Sequence, residues 1–165
     1  MGELDEKYMR VALQLAEKAA ENGEVPVGAL VVFQGEIIGT GVNSRESDHD
    51  PTAHAEIVAM REAGRRLRSW RLDGCSLYVT LEPCPMCAGA MVNARIERLV
   101  FGAEDPKAGA ITSLFNLADD QRLNHRIGEI SGGVLAEQCG EALKTFFRTR
   151  RKEKQSEKKR NSETN

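Results

Sequence analysis

The sequence predicts an α/β fold of three α-β-α layers, in which a mixed sheet of five strands lies between helices. Near the N-terminus, a segment with helical periodicity precedes two short apolar runs that flank Gln34-Gly35, as in a helix followed by a β-hairpin. Beyond the hairpin, helical and strand-like segments alternate in the order α-β-α-β. This order favours a sheet with parallel and antiparallel neighbours that is covered by helices.

The first three elements follow from the spacing of apolar residues. A helix is predicted over residues 4–21 because apolar side chains recur at steps of three and four residues, namely at Met9, Ala12, Leu13, Ala16 and Ala19. Asn22-Gly23 should end this helix, since both residue types favour the backbone conformation that follows a helical C-terminus. The runs 28–33 and 36–42 are predicted as the two strands of the hairpin.

The remaining elements rest on similar signals. Ile57, Met60 and Leu67 have helical spacing, and Pro83 is suited to the start of a helix of small residues. In chain order, the predicted elements are a helix at 54–67, a strand at 76–81, a helix at 84–94, strands at 98–101 and 129–130, and a helix at 135–151.

The composition indicates a single globular domain. A domain of about 150 residues buries roughly 70% of the surface of its unfolded chain, so this sequence can form a core without disulfides. The first residues are acidic rather than apolar, and no segment approaches the roughly 20 apolar residues of a membrane span. We therefore expect a soluble, cytoplasmic protein without membrane contact. Cys75 and Cys139 are interpreted as small core residues, since intracellular thiols stay reduced.

The charges are distributed unevenly along the chain. Residues 144–165 contain nine Lys or Arg against three Glu, although the whole sequence carries a net charge of -2. A basic end on an acidic body favours a polyanionic partner such as nucleic acid, and a solvated helix end is the alternative interpretation. We divide the chain into a globular domain at 1–151 and a basic, frayed or disordered tail at 152–165.

Two short motifs predict a catalytic metal site. His54-Ala55-Glu56 and Pro83-Cys84-Pro85-Met86-Cys87 together match the signature of zinc deaminases, H-x-E followed by P-C-x-x-C. His54, Cys84 and Cys87 supply three ligands, and a catalytic zinc keeps three protein ligands and leaves its fourth position to water. A closed structural site that recruits Cys75 and Cys139 would leave His54 unused.

Glu56 is the predicted catalytic residue. The signature assigns this glutamate to proton transfer rather than to metal binding. We expect it to take a proton from water, pass it to a ring nitrogen and then to departing ammonia, which describes hydrolytic deamination. Each half of the signature alone is weak, since H-x-E is common and C-x-x-C also occurs in redox pairs and structural zinc knuckles.

Segments outside the metal motifs resemble the bacterial tRNA-specific adenosine deaminases of the cytidine deaminase superfamily. The resemblance extends from about Asp5 to Arg151. It rests on the segments EVPVGA at 24–29, Asn43, DHDPTA at 48–53, GAEDPKAGA at 102–110, LNHR at 123–126 and FFRTRR at 146–151.

The resemblance implies a cytidine deaminase-like fold and conversion of adenosine to inosine at the wobble position of a tRNA, in bacteria an arginine tRNA. It also implies one zinc ion per subunit, an anticodon stem-loop as partner, and a homodimer whose interface helps to shape each active site. By position, Asn43 would hydrogen-bond the flipped nucleotide, and Val25-Pro26-Val27 and Ala55 would border the base. The residues expected toward the anticodon loop are Asp105, Lys107, Arg126, Phe146, Phe147 and Arg148.

Simpler roles remain open for several of these positions. Asn43 and Asp105-Pro106 are also typical turn residues. Phe146 and Phe147 are adjacent on a helix, so one should be in the core and the other exposed or at an interface. The arginines at 148, 150 and 151 are either solvated charges or phosphate contacts.

Two other functions share these features. A deaminase of free guanine or cytosine would use the same zinc chemistry and would not need a basic C-terminus. A non-catalytic RNA-binding protein could keep the fold as a scaffold, but it would not require Glu56 beside the metal.

Overall fold

The computed structural model describes residues 2–164, so Met1 and Asn165 lie outside the described range. Within this range the chain forms four helices and five strands. In chain order these are α1 (Glu3–Glu21), β1 (Gly28–Phe33), β2 (Glu36–Val42), α2 (Ala55–Leu67), β3 (Ser76–Leu81), α3 (Pro85–Ala94), β4 (Arg98–Ala103), β5 (Glu129–Ser131) and α4 (Ala136–Glu163).

The strands form one mixed sheet in the order β2-β1-β3-β4-β5, which confirms the predicted five-stranded sheet. β1 is antiparallel to both β2 and β3, whereas β3, β4 and β5 run parallel to one another. At the hairpin turn, Gln34 and Gly35 both have positive φ angles, 50° and 79°, as two-residue hairpin loops commonly require. Strand β4 continues two residues beyond its predicted end, and its Ala103 is in register with Leu81.

Helices cover both faces of the sheet, which confirms the three layers. In β1, Ala29 and Val31 join the core cluster that contains side chains of α2 and α3. Leu30 and Val32 join a second cluster with α1 and with Cys139 of α4. Because side chains alternate along a strand, these two sets occupy opposite faces, and β1 is buried on both.

Two glycines allow helices to approach the sheet closely. A Cβ atom built at Gly41 in β2 would lie 2.0 Å from the carbonyl oxygen of Ala55, the first residue of α2. A Cβ atom built at Gly28 in β1 would lie 2.1 Å from the carbonyl oxygen of Ala12 in α1. Any larger residue at either position would therefore push a helix away from the sheet.

The last helix is longer than the sequence analysis predicts. α4 continues across Arg151 as far as Glu163, so the expectation of a frayed or disordered tail is wrong for residues 152–163. This segment contains no Gly or Pro, is rich in Lys, Glu and Arg, and extends a helix that has already nucleated. Its side chains are exposed. Within the described residues, neither α4 nor any other helix is long and apolar enough to cross a membrane.

Candidate metal centre

The N-termini of α2 and α3 bring the three predicted ligands together. α2 begins at Ala55 and α3 at Pro85, so His54 and Cys84 are N-cap residues rather than the first helical residues that the sequence analysis expects. The Nδ1 atom of His54 lies 3.5 Å from Sγ of Cys84 and 3.4 Å from Sγ of Cys87. The ligand atoms of all three residues lie within 4.8 Å of one another.

The donor set fits a zinc ion. Metal–ligand distances of about 2.0–2.3 Å in a tetrahedral site place neighbouring ligand atoms about 3.3–3.8 Å apart. The two sulfur–nitrogen distances of 3.4 and 3.5 Å agree with this geometry. Both cysteines are free of disulfides, and two thiolates with one imidazole are ligands typical of zinc.

The two cysteines differ as acids. A hydrogen bond with Cys87 lowers the pKa of Cys84 to about 4, and His54 contributes to the same shift. The hydrogen bond between the sulfurs raises the pKa of Cys87. Cys84 is therefore held as a thiolate, which is the form of cysteine that binds metal ions.

Glu56 is buried beside these candidate ligands but is not part of their group. It lies in the first turn of α2, and its residue surface is 4% exposed. Burial raises the pKa of its carboxyl group, while a hydrogen bond with Cys87 opposes the shift. A carboxyl group in this environment can exchange a proton with a reacting molecule.

A cavity of about 290 Å³ adjoins these side chains and is at the small end of ligand-binding pockets. His54, Glu56 and Cys84 form part of its wall. Six of the predicted substrate-binding residues also line it: Val25, Val27, Asn43, Ala55, Asp105 and Phe147. The metal centre and these residues therefore face one space.

Five other predicted contacts do not line this cavity. Pro26 is buried between two lining residues, and Phe146 is half-buried. Lys107 and Arg148 are exposed, and Arg126 is exposed with its guanidinium 3.7 Å from the carboxylate of Asp119. These cations lie on the surface and not at the metal centre.

Asn43 and Asp105 both make the local hydrogen bonds expected of turn residues, and both also line the cavity. The Asn43 amide donates a hydrogen bond to the carbonyl oxygen of Val25, and its side-chain oxygen accepts one from the backbone N–H of Arg45. Asp105 accepts hydrogen bonds from the backbone N–H groups of Lys107 and Ala108. Both side chains thus shape the cavity wall as well as lining it.

The expectation that either Phe146 or Phe147 lies in the core is wrong. Phe146 is half-buried, and the guanidinium of Arg150 lies 5.1 Å from its ring. Phe147 is 45% exposed and lines the cavity. α4 leaves the protein body in this region, so the sheet cannot enclose either ring.

Five further residues line the cavity and were not predicted as site residues: Arg45, Leu81, Glu82, Ala108 and Leu143. Glu82 carried a usable signal, because it is a charged residue between a buried strand and the cysteine motif. The other four carried none, since their places depend on how distant loops and α4 fold together.

Cys75 and Cys139 lie in the core, as predicted. Both are buried and free, and burial raises the pKa of each thiol to about 11. They belong to different core clusters and neither joins the three ligands. A closed site that uses these cysteines is therefore excluded.

Comparisons with known sequences agree with this arrangement. A sequence profile described as MafB19-like deaminase matches residues 3–151. The chain is 52% identical over 159 residues to a tRNA-specific adenosine deaminase of Bacillus subtilis (strain 168), which covers 96% of this chain and 98% of that protein. It is 54% identical over 157 residues to a protein of the same name from Haemophilus influenzae, with coverage of 94% and 90%.

Two solved structures extend the comparison. One comes from studies of A-to-I editing by tRNA:A34 deaminases at the wobble position of transfer RNA. It is 42% identical, has a TM-score of 0.80, and the match covers 83% of this chain and 99% of that chain. The other is a guanine deaminase from Bacillus subtilis, which is 40% identical with a TM-score of 0.58 and coverage of 63% and 66%.

Proposed function

The chain belongs to the tRNA-specific adenosine deaminases within the MafB19-like deaminase family, and from this premise we infer that it is a zinc enzyme. It deaminates adenosine to inosine by hydrolysis at the wobble position of a tRNA. We propose that His54, Cys84 and Cys87 hold one Zn²⁺ per subunit and that the substrate is an arginine tRNA. Bound zinc would supply a Lewis acid that lowers the pKa of a water molecule to about 7.

Glu56 moves the protons of the reaction. Its carboxylate accepts a proton from the attacking water and delivers it to N1 of the adenine ring. A second proton then passes through the same carboxyl group to the amino group, which leaves as ammonia while the oxygen becomes the carbonyl of inosine. Burial of Glu56 limits the contact of its carboxyl group with bulk water.

One observation carries the proposal. His54, Cys84 and Cys87 lie together, and two of them, His54 and Cys84, line the same small cavity as Glu56. Asn43 and Asp105 are also in its wall. Incubation of the protein with total tRNA, followed by sequencing for adenosine-to-inosine changes, tests the reaction and its position together. We expect a change at the first anticodon position of an arginine tRNA, and unchanged tRNA would overturn the proposal.

A free-base deaminase is the second candidate, because the similar guanine deaminase shares 40% of its aligned sequence with this chain. The two functions differ in their need for RNA. Inosine formed in a transcribed anticodon stem-loop supports the tRNA function, whereas ammonia released from free guanine or cytosine supports the alternative. A protein without turnover on any of these substrates would instead be the non-catalytic RNA-binding scaffold.

We propose that the anticodon loop binds over the cavity with the target nucleotide flipped inward. Asn43 would hydrogen-bond this nucleotide, with Val25, Pro26, Val27 and Ala55 around the base. Single-stranded loops can splay their bases, so flipping requires little unpairing. The exposed ring of Phe147 at the cavity wall supports stacking of a neighbouring base. The remaining proposed contacts are Asp105, Lys107, Phe146 and the exposed cations Arg126 and Arg148.

We also propose a homodimer that works in the cytoplasm, where tRNAs are used. Trp70 is 65% exposed next to an apolar groove of α2 and α3 that includes Ile57, Met60 and Ala90. Large apolar side chains at such a groove are typical of protein interfaces.

A further inference from the structure

Glu82 is a buried carboxylate that the proposed reaction does not use. It directly follows β3 and precedes the cysteine motif, and its residue surface is 2% exposed. It lines the cavity but is not part of the His54, Cys84 and Cys87 group. Its two oxygens therefore need partners other than the metal or solvent.

Those partners all come from one loop, residues 105–113. One oxygen of Glu82 accepts hydrogen bonds from the backbone N–H of Asp105 at 3.1 Å and from the Ser113 hydroxyl. The other accepts from the backbone N–H groups of Ile111, Thr112 and Ser113 at 3.1, 2.9 and 3.0 Å. Five donors thus converge on a single carboxylate.

The loop also fits tightly around the carboxylate. A Cβ atom built at Gly109 would lie 2.3 Å from an oxygen of Glu82, so only glycine allows this approach. The backbone N–H of Ala110 donates to the carbonyl oxygen of Pro83 at 2.8 Å, which adds a second attachment beside the metal ligand Cys84. The position of the loop is therefore set by residues next to the metal centre.

This loop supplies two residues of the cavity wall, Asp105 and Ala108. From these contacts we propose that Glu82 is a positioning residue, which holds the 105–113 loop against the metal centre and so sets the shape of the site that receives the target nucleotide. The inference rests on the proposed function, since it assumes that the cavity binds that nucleotide. Glu82 acts through the loop and needs no contact with the reacting atoms.

The substitution Glu82→Gln tests this role with almost no change of volume. The amide presents an N–H group to donors that require an acceptor, so the loop must move. We expect KM for an anticodon stem-loop to rise by about 10- to 100-fold with an unchanged zinc content, because small displacements in a binding site have effects of this size. A purely structural role would reduce the active fraction, which lowers kcat but leaves KM as it is.

Two further variants keep the test decisive. Ser113→Ala removes one of the five hydrogen bonds, and we expect it to raise KM about fivefold even if Glu82→Gln does not fold. Asp5→Asn is the control for a general loss of stability. It alters a buried carboxylate of α1 that is hydrogen-bonded to Tyr78 and Arg98, and it should lower the free energy of unfolding without changing KM.

The outcomes separate the two proposals. If wild-type protein forms no inosine in the stem-loop, the proposed function fails. If wild-type protein is active but Glu82→Gln and Ser113→Ala both keep the wild-type KM, the positioning role alone is overturned.

Discussion

The chemistry of the centre depends on how neighbouring residues divide their roles. His54 and Glu56 are two positions apart, yet the first belongs to the group of side chains that could hold a metal ion and the second stays outside it. This division follows from the backbone, because His54 has an extended conformation before α2 whereas Glu56 lies within its first turn. Metal binding and proton transfer should therefore be separable by mutation.

Glu56→Ala should keep zinc and lose most activity. General acid–base catalysis is worth about 10²- to 10⁴-fold, and we expect a loss of kcat in that range. Metal analysis together with an inosine assay measures both properties. Glu62→Ala, which alters an exposed glutamate of the same helix, is the control and should leave kcat unchanged. Near-normal turnover by zinc-loaded Glu56→Ala protein would contradict the assignment.

Single residues also show where prediction from sequence succeeds. The clustering of His54, Cys84 and Cys87 was predictable because a metal site requires particular residue types at short spacings. The charge of Glu82 after a buried strand was a usable signal, but its role was not predictable, since its partners lie 23 to 31 residues away in a loop without regular periodicity. The surroundings of Phe147 could not be predicted from the sequence either, because they depend on where α4 leaves the protein body.

Among the elements, α4 combines two functions along its length. Its first turns are anchored to the sheet through Cys139, and its exposed part begins near the cavity at Phe147. Arg151, Lys154 and Lys158 follow Phe147 at steps of four, three and four residues, so they share one face of the helix. This basic stripe, Arg151-Lys154-Lys158, extends about 16 Å from Phe147 at 1.5 Å per residue.

The double substitution Lys154→Gln/Lys158→Gln should weaken binding of an anticodon stem-loop and flatten its salt dependence. Each lost phosphate contact lowers the slope of log K against log salt by about 0.7–0.9. Lys152→Gln/Lys159→Gln removes the same charge from another face of the helix and should have little effect. The test is the Kd of each double variant for the stem-loop, measured over a range of salt concentrations. Equal slopes of log K against log salt for the two variants would show that the basic stripe is solvated and does not contact phosphates.

A network of hydrogen bonds around Asp5 joins α1 to the sheet. Arg98 in β4 makes two hydrogen bonds of 2.8 Å to the carboxylate of Asp5, and the hydroxyl of Tyr78 in β3 donates a third at 2.7 Å. The hydrogen bonds from Arg98, followed by that from Tyr78, lower the pKa of Asp5 to about 2 although burial opposes the shift. The ionised carboxylate is therefore favoured in the folded state.

Because of this network, the free energy of unfolding should depend on pH. Since the pKa of Asp5 is about 2 in the folded protein and ordinarily 3.8, the contribution is complete above about pH 5 and is lost as pH falls toward 2. It amounts to about 2 kcal/mol in the free energy of unfolding at neutral pH.

Urea unfolding of wild-type and Asp5→Asn proteins measures this contribution, because groups common to both proteins cancel in the difference. We expect that difference to shrink by about half between pH 7 and pH 3. A difference that is independent of pH would show that the carboxylate's charge is not what stabilises the contact.

At the scale of the whole molecule, the two faces of the sheet carry different parts of the site. The proposed ligands lie at the starts of α2 and α3 on one face, while the other face anchors α1 and α4. The layering was predictable from the alternation of helices and strands. The long segment between β4 and β5 was not, because hydrogen bonds to Glu82 rather than local periodicity shape its first part.

The apolar groove beside Trp70 leads to a test of assembly. We expect sedimentation velocity to show a dimer for wild-type protein and a monomer for Trp70→Arg, because the new guanidinium would lie beside Arg71 and Arg95 and would place an unpaired positive charge in the interface. Leu4→Arg adds the same charge at another exposed apolar residue, on α1, and should leave the dimer intact. A wild-type protein that stays monomeric at micromolar concentration would rule out the homodimer.

The close approach of α2 to Gly41 has a consequence for how the family can vary. The carbonyl of Ala55 occupies the space that a Cβ atom at Gly41 would need, and Ala55 lies between His54 and Glu56. In a saturation mutagenesis screen for activity, Gly41 should therefore tolerate as few replacements as His54. Selection for activity would then preserve glycine at position 41 as strictly as histidine at position 54, because the absence of a side chain at Gly41 keeps the start of α2 in place.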